Sequence, residues 1–169
     1  MGDERKTEVQ FDVANGDGLF RPGSSEPEAS AALDELLDQR EEGRLTLNRK
    51  VLALTVLTER HPSFIDGHAH LDYGQLEQGK SEQALRAAHA GYSIATSAIP
   101  SQFSGPIDWG WIESRPFLRP AHALALCEKE LGHHMDAIKV MEQLLVWNPH
   151  NNQGLRSCSA RNISDLEAS

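Results

Sequence analysis

The 169-residue chain carries a formal net charge of −9, and 6% of its residues are aromatic. That charge, with no Lys/Arg cluster to offset it, excludes duplex nucleic acid as a partner for the whole surface, because displacing phosphate counterions takes dense basic side chains. No apolar run approaches the roughly 20 residues of a membrane span, and Met1-Gly2-Asp3-Glu4-Arg5-Lys6 lacks the apolar core of a secretory leader, so the expected setting is cytoplasmic.

The length fits one domain able to bury a core. Ala and Leu dominate the apolar set, while Val, Ile and Thr are too scattered to suggest a sheet. The expected class is therefore all-α. Residues 1–24 are polar, rich in Gly and without a period, which predicts a flexible N-terminal arm. Phe11, Val13, Leu19 and Phe20 are its exceptions and could dock on the rest. Asn15-Gly16-Asp17-Gly18 lacks the ligand series and closing Glu of a Ca²⁺ loop and reads as a flexible turn.

Ser25-Glu26-Pro27-Glu28 forms a helix start, with Ser25 as cap, Pro27 in the first turn and Glu28 able to reach back. The helix runs through Leu33, Leu36 and Leu37 to about Arg40, and Glu41-Glu42-Gly43 breaks it. A second helix, from about Leu47 to Arg60, turns Val51, Leu54 and Leu57 inward and ends on His61-Pro62. A third spans 63–78 with Ile65, Ala69, Leu71 and Leu76. Gly79 and Lys80 make the next turn. Ser81 is placed to cap a helix carrying Ala84, Leu85, Ala88 and Tyr92 to about Ala95. Periodicity then stops over 97–115, which holds Pro100, Gly105, Pro106, Phe103, Trp109 and Trp111. The next helix is expected from about Arg119, because that start leaves Pro120 harmless in the first turn. It carries Leu124, Cys127, Glu128 and Leu131 and stops at Gly132, which can take the left-handed conformation. The last long helix presents Ala137, Met141, Leu144 and Leu145 on one side and ends on Asn148-Pro149. Asn151 could cap a short covering helix through Leu155 toward Ala160, and residues 161–169 read as a flexible tail.

A Gly in the inter-helix turn, a small residue five positions later and a closing Pro appear as Gly132, Ala137 and Pro149. This resembles the tetratricopeptide (TPR) motif, and the end of the stretch looks like that of bacterial TPR proteins of unassigned activity. A second copy has Leu71, Gly79, Ala84 and Ala88; a third ends on Pro62 with Leu54 and Leu57. Gly79 and Gly132 are 53 residues apart, the roughly 34-residue repeat plus a 19-residue insertion at 97–115. The resemblance covers most of residues 28–156. It implies a TPR-like α-solenoid over 25–160 that binds a peptide or protein surface in a concave groove. Register with the family places Asp66, Tyr73, Leu76, Arg119, His122, Leu126 and Lys129 in that groove. Leu126 and Tyr73 would meet apolar side chains, and Arg119 and Lys129 would hold an acidic group. The full Lys, Asn and Arg set of the chaperone-tail-binding members is absent.

Trp109 and Trp111 are read either as an anchor for the insertion or as aromatic contacts for a partner. His68-Ala69-His70 imitates a metal pair. On a helix, however, residues i and i+2 point about 200° apart and cannot share one ion. His122 and Cys127 have no ligand spacing either, and Cys127 and Cys158 suggest no disulfide framework. There is no nucleophile elbow and no phosphate loop. The expectation is a non-enzymatic scaffold module needing no cofactor or metal. A self-associating unit with an exposed terminal helix as dimer seam is the second reading, and a metal-dependent hydrolase the third.

Overall fold

A computed structural model describes residues 9–21, 23, 26–107 and 114–150. Among these, six helices and one two-stranded sheet are formed, in the order β1 (Gln10–Ala14), β2 (Asp17–Arg21), α1 (Glu26–Glu41), α2 (Leu47–Arg60), α3 (Ile65–Glu77), α4 (Ser81–Ala98), α5 (Arg115–Glu130) and α6 (His134–Trp147). The molecule is mostly helical. None of the described helices is long and apolar enough to cross a membrane.

The helices follow from Ala/Leu periodicity and from three similar stops. Gly43, Gly79 and Gly132 have φ of 73, 74 and 80°, a left-handed geometry open to a residue without Cβ. After each glycine the next amide reaches back over the helix end: Arg44 to the Gln39 carbonyl, Lys80 to Gln75 and His133 to Glu128. This is the Schellman closure, which satisfies carbonyls that the helix leaves open. Each such stop is followed within a few residues by a new helix, so the chain reverses and consecutive helices lie side by side. In addition, α3 lies against α5.

Two helix starts differ from expectation. α4 begins at Ser81 itself, with Lys80 as the capping residue, so the Ser81 hydroxyl caps nothing. The side-chain cap that does form is Thr46, which accepts from the Arg49 amide at the start of α2. α5 begins at Arg115 rather than near Arg119, which leaves Pro120 inside the helix. Pro120 is buried, and its ring carbons lie where a Cβ on Gly91 of α4 would come within 3.1 Å of them. The helix gives up one amide bond there, and close packing against a bare α4 backbone offsets the loss. Ser25 and the covering helix expected after Asn151 lie outside the described residues, as does the flexible tail.

Residues 10–21, expected as part of a flexible arm, form a β-hairpin instead. Asn15 and Gly16 both have positive φ, 55 and 91°, which makes the two-residue turn that matches strand twist. Phe11 pairs with Phe20 across the hairpin. Phe20 stacks on Phe117 of α5 at 3.8 Å, and Phe11 meets Phe103 edge-on at 4.9 Å. The Gly18 amide bonds the Pro106 carbonyl, and the Ile107 amide bonds the Trp147 carbonyl. The hairpin, the stretch from Phe103 to Ile107 after α4 and the end of α6 are thus fastened together. The core divides into a cluster among the first three helices around Leu54 and Phe64, one between α3, α4 and α5 around Leu124 and Cys127, and one under the hairpin around Phe117, Met141 and Trp147.

Candidate functional site

The residues assigned to the groove fall on α3 and α5, which lie against each other. Asp66, in the first turn of α3, accepts a hydrogen bond from the Arg119 guanidinium at 2.6 Å. His70, one turn on, approaches the same carboxylate at 3.9 Å. The Tyr73 hydroxyl lies 2.9 Å from His122 Nδ1. Leu76 and Tyr73 pack together on the Ala84, Ala88, Leu124 and Cys127 cluster. Leu126 and Lys129 lie further along α5, both half-buried. The structure therefore brings four of the seven into two direct contacts. Trp109 and Trp111 lie outside the described residues.

Beneath this face sits Asp72, which the groove assignment missed. It is 0% exposed, and among the described residues neither carboxyl oxygen has a well-formed hydrogen bond. Burial pushes its pKa up to about 9; the nearby Tyr73 amide pulls the other way without overcoming it. At neutral pH the group is a protonated acid. Its inward position is legible in the spacing, because Ile65, Ala69, Asp72 and Leu76 follow one another at four, three and four residues.

The surrounding groups are held in their neutral forms as well. Burial, with help from Asp72, pushes the Tyr73 hydroxyl upward and keeps it un-ionised. Burial lowers the pKa of His122, so its pair with Tyr73 is a neutral hydrogen bond. Burial above all, then Asp72, pushes the Cys127 thiol up to about 12, which removes it as a thiolate nucleophile. His68 contacts the Pro62 carbonyl at 2.9 Å, whereas His70 turns to Asp66, so the two histidines face different partners. Among the described residues no three His, Cys, Asp or Glu side chains gather to hold a metal ion. Cys158 lies outside the described residues.

A second polar junction was also unforeseen. Glu128, 7% exposed, meets His133 of the following turn at 2.7 Å and His89 of α4 at 3.3 Å. It ties α4, α5 and the turn before α6 into one corner. On the α3/α5 face the Arg119 cation stays partly accessible, with a side chain 34% exposed. Among the described residues its guanidinium donates to Asp66, and a guanidinium carries five N–H donors in all. Such a face can hold an acidic or carbonyl group by contact. No protein-family model matches the chain, and no curated protein matches it.

Proposed function

We propose that the chain is a TPR-like scaffold module that holds a peptide or protein segment against the α3/α5 face, with no catalytic step of its own. One observation carries this reading. Asp66 and Arg119 each stand thirteen residues before a turn glycine, Gly79 and Gly132, and they touch at 2.6 Å. Contact between equivalent positions of α3 and α5 is what side-by-side hairpins of one repeat would give. The Tyr73–His122 contact joins the same two helices.

On this reading Leu76, Leu126 and Tyr73 offer apolar surface to the bound segment. Arg119 and Lys129 hold an acidic group at its side, and Asp66 keeps the guanidinium aimed. Asp72 and Cys127 are both 0% exposed and lie out of reach of a bound segment. The test is recovery of bound protein by the wild type and by an Arg119→Ala/Lys129→Ala double variant, each cross-linked in cell extract and identified by mass spectrometry. The double variant is expected to lose the partners that the wild type retains. Equal recovery by the two would remove the groove assignment.

A further inference from the structure

The outer face of α2 has a pattern that fits a copy of itself. Leu52 is 66% exposed and Val56 39% exposed, the largest apolar side chains left open on this helix. Arg49 stands one turn before Leu52 and Glu59 one turn after Val56, both exposed. The four are spaced three, four and three residues apart. At 100° per residue they fall within an arc of about 80°, a single stripe along the helix. Among the described residues neither charged side chain takes part in an ion pair.

The spacing reads the same in both directions, but the charge does not. Turn one α2 end for end against another, and Leu52 faces Val56 of the second copy. Arg49 then faces its Glu59. The two-fold axis repeats both pairs, giving two apolar layers closed at each end by opposite charges. A parallel arrangement would set Arg49 on Arg49 and Glu59 on Glu59 and is disfavoured. Val56 also forms one wall of a groove of about 300 Å³ between α1 and α2, floored by Ala32, Ala53 and Leu57.

We infer that this chain self-associates as a two-fold dimer through an antiparallel α2–α2 seam. The surface is separate from the α3/α5 face, so the inference does not rest on the groove reading. The seam is short: the 14 residues of α2 span about 21 Å. It falls at the low end of specific interfaces, so the dimer is expected to dissociate on the order of 10 µM or weaker.

Sedimentation of the full chain over a concentration series tests this, using substitutions at exposed positions that leave the fold intact by circular dichroism. Wild type is expected to shift from monomer to dimer. Arg49→Glu and Glu59→Arg each replace two attractions by two repulsions and are expected to weaken the dimer about tenfold or more. The Arg49→Glu/Glu59→Arg double variant is expected to recover it, and an equimolar mixture of the two single variants is expected to form a heterodimer. Leu52→Ala/Val56→Ala is expected to leave a monomer. A wild type monomeric at millimolar concentration would overturn the inference. So would a dimer indifferent to the charge variants or one that the swap fails to restore.

Discussion

Asp72→Asn isolates the cost of burying an acid. Asp72 is fully enclosed, and its pKa rises from 3.8 to about 9. A group raised in the folded state contributes most below its unfolded pKa, and that contribution is lost as pH climbs toward the folded value. The window therefore runs from about pH 4 to about pH 9. At pH 8 the proton is held over about four units, each worth about 1.4 kcal/mol, so the ceiling is about 6 kcal/mol. Relaxation of the native state reduces this, and about 2–4 kcal/mol is the working expectation. Asn keeps the shape, never ionises and leaves the same neighbours in place. Urea unfolding of the two proteins at pH 4 and pH 8 measures the difference. The variant is expected to be more stable by that amount at pH 8, about 5–10 °C in Tm, and nearly equal at pH 4. Other titrating groups cancel in the comparison. A stability difference that stays constant between the two pH values would refute the reasoning.

Acid should act on the wild type in the opposite sense through His68, His70 and His122. All three are lowered from 6.5, chiefly by burial, so their contribution is present above that value and fades as pH falls through the folded pKa; replacing His122 with Gln should flatten the acid limb of a Tm–pH profile. Gly91→Ala puts a Cβ 3.1 Å from His68 Cβ and the Pro120 ring, atoms that cannot swing aside. The overpacking should exceed the gain in helix propensity and cost about 1 kcal/mol net in denaturant unfolding. Phe20→Ala removes a 4%-exposed ring stacked on Phe117 and should cost about 3 kcal/mol, with faster proteolysis of the hairpin. Tyr73→Phe leaves His122 Nδ1 without its 2.9 Å partner and should cost about 1 kcal/mol; no change in the urea midpoint would show the pair to be idle.

The helices were legible because their signals are local. Ala and Leu recur at helical spacing, and Gly79 and Gly132 adopt the left-handed turns that their positions required. The start of α5 was misread for the complementary reason. The penalty of Pro120 is local, whereas its compensation is a contact with Gly91 on another helix. Asn15-Gly16 is a strong hairpin signal that the Gly-rich surroundings hid, and Phe11 and Phe20 become core residues only by meeting Phe103 and Phe117. The candidate site divides the same way. Register placed Asp66 and Arg119, but their ion pair spans 53 residues and the Tyr73–His122 contact 49. Spacing could put Asp72 on the inner stripe of α3, while its raised pKa follows from the burial that only the folded chain supplies.

The fastening of the hairpin to the stretch after α4 and to the end of α6 bears on how the protein is shortened. Periodicity alone invites a cut at the start of α1, because everything before it looks dispensable. Such a trimmed version would strip the lid from Phe103, Phe117 and Ile107 together and leave an oily patch facing water. Poor solubility of that fragment would then report a missing cover, and the helices themselves would be blameless.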